Sequence, residues 1–284
     1  TVDGVPGTAP AVVDSQAFSI TRNSDTQTNQ ISPQTWAQDF IVPTGGVNCA
    51  LYVFVFAIPN NTGKASGTLG LTIEGVTYTW DATTTTTAVA APYGPSTRFK
   101  ALAMGTVADG TTIDIDIAIS SGWHSVELFA VLLSGVTQTA LVDTGTLIAR
   151  TNDTAAASKT TSITLAAGNR RMLYAAACRS GSDTTSNATL SGATQLENLN
   201  SGTGGVTSNL RGIVAHEAGS AGANDATFTF PTSQMSAEIA LAIPPPASDA
   251  MTIIMPDNGS RTLAGVNQLY GWTYDPANSE FQII

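Results

Sequence analysis

The stretch IDIDIAISSGWHSVELFAVLLSG, residues 113–135, holds two patterns side by side. Ile113, Ile115, Ile117 and Ile119 alternate with Asp114, Asp116, Ala118 and Ser120, the period of two expected of a strand with one face in a core and one in water. Ser121-Gly122 supplies a turn. In the run that follows, Val126, Leu128, Ala130 and Leu132 face one way, and only Glu127, at its start, interrupts the other face. Such a strand is covered on both sides. A membrane span needs about 18 or more consecutive apolar residues; Trp123, His124 and Glu127 leave far fewer, and the stretch reads as a hairpin.

This order of events recurs. Residues 226–243, ATFTFPTSQMSAEIALAI, again run from alternation through a turn to an apolar strand with one glutamate near its start. Aligning Glu127 with Glu238 places Val126, Leu128, Ala130 and Leu132 on Ala237, Ile239, Leu241 and Ile243. Upstream, residues 71–80 match 188–197 through Gly75 and Gly192, and residues 40–57 match 162–179 through Leu51-Tyr52 and Leu173-Tyr174. A period of roughly 115 residues far exceeds the repeat of a solenoid, so each copy is expected to have its own core.

Each copy divides into short apolar strands separated by Gly, Asn, Asp, Ser and Thr clusters, and no stretch has helical periodicity. The expected fold class is all-β: two tandem antiparallel β-sandwiches, immunoglobulin-like or jelly-roll, arising from an internal repeat. The first covers residues 18–137 and the second 138–245. Residues 1–17, with Pro6, Pro10, Gly4 and Gly7, read as an extended N-terminal arm. Pro244-Pro245-Pro246 reads as a stiff spacer. Residues 246–284 form a linker and a β-rich C-terminal docking segment, too short for a core of its own, in which Tyr270, Trp272, Tyr274 and Phe281 are the candidate docking residues.

Composition narrows the partners. The net charge is -10, with only 11 lysines and arginines, so a nucleic-acid partner is excluded by repulsion. Cys49 and Cys178 stand far apart without a CxxC or a histidine at ligand spacing and are read as small core residues. The first residues, TVDGVPGTAPAVVDSQ, have neither the basic nor the apolar region of a secretion signal. The expectation is a signal already cleaved or assembly in a cytoplasm, and Thr1 fits removal of an initiator Met.

Candidate chemistry is sparse. His124 falls in an expected turn and His216 at an expected strand end, neither near a nucleophile motif. Asp114 and Asp116 form a DxD pair that suits calcium oxygen ligation but reads better as the solvated face of a strand. Glu127 and Glu238, matched in the repeat, read as structural polar partners rather than a glycosidase pair, which needs both carboxylates in one site. Trp36, Trp80, Trp123 and Trp272 suit sugar stacking, against core anchoring as the commoner fate. No phosphate-binding loop, zinc pattern or cofactor motif is present, so no cofactor, no metal and no enzymatic activity are expected. The low-complexity loop at 81–98 has no counterpart of equal length in the second copy. It is the expected recognition surface, with Thr83, Thr85, Tyr93 and Arg98 as its candidate residues.

The acidic, lysine-poor, Thr/Ala/Gly-rich tandem, with Gly75-Val76-Thr77-Tyr78, Gly122-Trp123 and Leu133-Ser134-Gly135-Val136 set among apolar strands, resembles accessory virion proteins of tailed bacteriophages over residues 18–245. These are the head-decoration, spike and tail-fibre proteins. The resemblance implies a non-enzymatic structural protein of the virion, assembled in the host bacterial cytoplasm and decorating or projecting from the capsid or tail. Its implied partners are capsid or tail subunits and copies of itself, with a host-surface glycan as a further ligand and no membrane insertion. The absence of a heptad or collagen-like stalk favours a compact decoration or spike. The competing expectations are a secreted or surface carbohydrate-binding adhesin module and, third, a polysaccharide-degrading enzyme with acidic residues clustered in one cleft.

Overall fold

The computed structural model describes residues 9–21, 31, 33–59, 67–85, 94–179, 187–201 and 210–245, together with the four short strands of the C-terminal segment. The chain is all-β. The first repeat supplies β1 (Ala11–Thr21), β2 (Gln34–Ile41), β3 (Gly46–Pro59), β4 (Leu69–Ile73), β5 (Val76–Tyr78), β6 (Ala82–Thr84), β7 (Ser96–Val107), β8 (Thr112–Ile119) and β9 (Trp123–Ser134). They form an inner sheet in the order β1-β9-β3-β7-β6 and an outer sheet in the order β2-β8-β4-β5. The antiparallel pairs β1 with β9, β2 with β8, β3 with β7 and β4 with β5 are those of a hairpin rolled up on itself. This is a jelly roll rather than an immunoglobulin topology.

The second repeat supplies β10 (Ile148–Leu165), β11 (Arg170–Arg179), β12 (Thr189–Ser191), β13 (Thr194–Asn200), β14 (Leu210–Gly219) and β15 (Gly222–Ile243). Here β10 and β15 each run through two layers. Their pairing slips between Asn152 and Ser158, and Pro231, which has no N–H to give a ladder, lies at the matching level of β15. Beyond the bend, Ile163, Leu165, Ala226, Phe228 and Phe230 fold over Met172, Tyr174, Ala176, Ala240 and Ala242 in one core. Half-strand by half-strand the first roll is repeated: β10-β15-β11-β14-β13 matches β1-β9-β3-β7-β6, and the far halves of β10 and β15 with β12 match β2-β8-β4. Gly75 and Gly192 both turn the chain with positive φ, 74° and 89°, as the repeat required.

The two rolls stack into four layers. Leu51, Val53, Val55, Val126, Leu128, Ala130 and Leu132 face the outer sheet of the first roll. The other face of the same strands, with Tyr52, Phe54, Phe56, Phe129, Val131 and Leu133, packs against Leu173, Ala175, Ala177, Val214, Ile239 and Leu241 of the second. The β9 run is apolar on both sides because it lies between two cores. This corrects the repeat alignment by one residue. Val126, Leu128, Ala130 and Leu132 face their own roll's core, whereas Ala237, Ile239, Leu241 and Ile243 face the contact between rolls. A slip of one in a strand exchanges its faces, so Glu127 and Glu238 are not equivalent.

The arm also needs correction. Residues 11–17 belong to β1, an edge strand paired along β9 from Ala11 opposite Ser134 to Thr21 opposite Ser125, because the backbone of β9 needs a partner on that side. The C-terminal segment contains the antiparallel pairs β16 (Met251–Ile254) with β17 (Ser260–Leu263) and β18 (Trp272–Asp275) with β19 (Glu280–Ile283).

Glu238, fully buried in β15, pins the bend of β10. Its Oε2 accepts from Arg150 Nε at 2.9 Å and Nη2 at 2.7 Å and from the Thr161 hydroxyl at 2.5 Å, and its Oε1 accepts from Asn152 Nδ2 at 2.9 Å. Arg150 and Asn152 lie before the bend and Thr161 after it. Removing the cation leaves a buried carboxylate short of its charge partner. Arg150→Ala is expected to cost about 3 kcal/mol, the low end for a buried pair because Arg150 is itself partly exposed, and Glu238→Gln less. Urea unfolding of the three proteins checks this order.

Candidate functional site

The strand pairings gather one class of connection at one end of the stack. Thr21 lies opposite Ser125, Pro59 opposite Trp123, Thr84 opposite Thr97, and Arg179 opposite Leu210. The Ser125 hydroxyl, at the start of β9, donates across the contact between rolls to the Ser201 hydroxyl at 2.7 Å, so both rolls end at the same level. From this end spring the segments 22–30, 60–66, 86–93, 180–186 and 202–209, with sequences RNSDTQTNQ, NNTGKAS, TTAVAAPY, SGSDTTS and GTGGVTSN. Four of the five are dominated by Asn, Asp, Ser, Thr and Gly, side chains rich in short donors and acceptors. The opposite end has tight turns and the linker between rolls.

This end of the rolls carries a shelf of buried polar side chains. Arg98 Nη1 donates to the carbonyls of Thr84 and Thr97, both at 2.7 Å. The guanidinium thus ties together the two strands between which residues 86–93 run, and burial pulls its pKa below the ordinary arginine value. This corrects the reading of 81–98 as one loop: 82–84 and 96–98 are strand, and Arg98 is a buried clip rather than a recognition group. Thr83 and Thr85 are exposed beside it, and Tyr93 lies outside the described residues.

Glu127 is a further buried charge of this end, beside Arg179 and Arg211. It points from β9 across the contact between rolls onto the backbone of Gly212, where an added Cβ would strike its Oε2. Neither carboxylate oxygen has a hydrogen-bond partner among the described residues. Burial pushes its pKa well above the ordinary carboxylate range, against a smaller pull downward from the Ser201 backbone and the Arg211 guanidinium. Glu127 and Glu238 sit in separate cores, so no paired-carboxylate chemistry arises between them.

His124 is a buried residue of β9 rather than a turn residue, because β3 runs on to Pro59 and draws β9 with it. His216 receives Arg171 Nη1 on Nδ1 at 3.1 Å; partial burial and the Arg171 charge hold its pKa below the ordinary value. Asp114 is on the solvent face of β8, directly opposite Asp39 of β2. Its pKa is raised, first by a side-chain hydrogen bond with Asp39. Among the described residues no group of histidine, cysteine and acidic side chains is arranged to hold a metal.

Trp36 and Trp123 are buried in the first roll's core, and Trp80 packs against it with its indole N–H on the Leu69 carbonyl at 2.6 Å. Core anchoring, not sugar stacking, is the fate of these three. Cys49 and Cys178 are buried and free. In the C-terminal segment Trp272 pairs with Ile283 and Tyr274 with Phe281; Tyr270 lies outside the described residues. Sequence reasoning missed the Ser125–Ser201 contact and the fit of Glu127 on Gly212. Serines in a polar stretch and a glycine in an apolar one carry no signal of what lies across an interface.

No family model matches the chain, and no curated protein does. Among solved structures, dimeric latent PorU from Porphyromonas gingivalis is similar at 10% identity and a TM-score of 0.22, over 86% of this chain and 23% of that one. A likeness that slight carries no argument about fold or activity.

The buried Glu127 carboxyl sets a pH dependence. A folded pKa above the unfolded one means that its contribution to stability is intact below the unfolded value, about 4.3, and is lost as pH rises toward the folded pKa. Glu127→Gln is expected to match the parent near pH 4 and to unfold at progressively higher urea than the parent as pH rises to 8. Unfolding midpoints across that range check the sign.

Proposed function

We propose that this chain is a non-enzymatic structural protein of a bacteriophage virion, fixed to the particle by its C-terminal segment and presenting the end that bears the five long segments. The observation that carries this reading is the polarity of the stack. β1 begins and β15 ends at the end with the tight turns, where Ala11 lies opposite Ser134 and Ile243 opposite Arg171. The Thr137 hydroxyl holds the Pro245 carbonyl there at 2.7 Å. The C-terminal segment therefore leaves from the end opposite the long polar segments, as an attached and outward-facing protein requires. Its strands offer main-chain edges for pairing with neighbouring subunits, and the partners so implied are capsid or tail proteins and copies of this chain.

Jelly rolls serve viral capsids and lectins alike, and a fold does not fix a function. A carbohydrate-binding adhesin is therefore the second reading, favoured by the Asn, Ser and Thr content of the segments at the presenting end. The two readings differ in what the C-terminal segment does.

The test compares the full chain with one that stops at Pro245 and keeps β1 whole, starting no later than Ala9. Light scattering is expected to give an oligomer for the full chain and a monomer with an unchanged circular dichroism spectrum for the shortened one. Two monomers, with binding on a glycan array abolished by shortening residues 86–93, would replace the virion reading with the adhesin.

A further inference from the structure

The two inner sheets meet in reversed order. β1 lies over β13, β9 over β14, β3 over β11, β7 over β15 and β6 over β10. Because β1 corresponds to β10, β9 to β15, β7 to β14 and β6 to β13, exchanging the rolls maps this set of contacts onto itself, with β3 over β11 as the self-matched pair. That is the contact pattern of an isologous twofold dimer. It is apolar throughout its centre, as in obligate homodimers.

The further contacts of β7 with β10 and of β3 with β14 have no counterpart of equal weight, and one close fit departs from the symmetry most sharply. Glu127 and Phe129 of β9 close onto Gly212 of β14, where an added Cβ would lie 2.6 Å from Phe129 Cζ. In the corresponding strand of the first roll, Phe99 faces the contact and Thr97 shares its face. Two first rolls brought together would drive Glu127 into one of these side chains. Two second rolls would set Ala237 or Ile239 of β15 against Gly212 and leave the space of the glutamate unfilled. Each like pairing is penalised, the first by overlap and the second by a void.

We infer that the contact between the rolls is a dimer interface carried within one chain and restricted to unlike partners by the fit of Glu127 and Phe129 over Gly212, so that the second roll of another copy can replace the chain's own. Ser125 and Ser201 give the readout, since their hydroxyls meet across the interface. A protease site is inserted between the exposed Thr139 and Ala140 in three full-length variants: Ser125→Cys, Ser201→Cys and the double variant. Each is cut, unfolded and refolded, and the two single variants are mixed before refolding. After oxidation, non-reducing electrophoresis is expected to show the first fragment of one copy linked to the second fragment of the other, as in the double variant.

Failure of the mixture to cross-link while the double variant does so overturns the exchange. Ser125→Cys fragments linked to each other overturn the restriction to unlike partners. Gly212→Val, at a strand position without positive φ, is expected to reduce the mixed product about tenfold or more; an undiminished product would remove the role given to Gly212. If that variant does not refold, the first two outcomes still decide.

Discussion

The inner sheets have no face for water. β3, β9, β11 and the last third of β15 are apolar on both sides, and each side meets a different core. Separating the rolls would bare Tyr52, Phe54, Phe56 and Phe129 together, a patch that a lone soluble domain rarely tolerates. Folding each roll and joining the two are therefore one energetic event. Hydrophilic variation is left to the outer faces and the strand ends, and every long segment of the two rolls stands at one of those ends.

That constraint explains what was legible in the sequence. Alternation from Ile113 to Ile119 announced a half-buried strand, and β8 is one, with its aspartates in solvent. The unbroken run after Trp123 announced a doubly covered strand. The same run hides its own phase: where both faces are apolar, no residue marks which one looks inward, so the sequence leaves the two copies free to slip by one residue. Glu127 and Glu238 favour the wrong phase, since a lone glutamate in each run invites superposition. The order of elements survived because glycine turns and strand lengths carry it independently of phase.

The two glutamates also show why burial alone does not define a role. Glu238 is held by four hydrogen bonds from Arg150, Asn152 and Thr161, so its charge is compensated and fixes the path of β10 through two layers. Glu127 makes no side-chain hydrogen bonds of that kind among the described residues, is drawn only weakly by the Ser201 backbone and the Arg211 charge, and stands against a glycine. Its contribution is one of shape and cost: a side chain that only the opposite roll can receive. A buried group that weakens an interface while selecting its partner is a known compromise.

Strand count fixes the remaining geometry. The backbone of each roll enters and leaves at the end with the tight turns, since β1 and β9, like the near halves of β10 and β15, run between the two ends in opposite directions. The linker between the rolls must then lie at that end, and it does: the Tyr52 hydroxyl donates to the Leu141 carbonyl at 2.8 Å, and the Asp143 N–H to the Ala242 carbonyl. The same parity sends the C-terminal segment out beside the linker. Lengthening the segments at the far end therefore leaves the path of both termini untouched. The two ends of the stack can therefore change without disturbing each other or the cores between them.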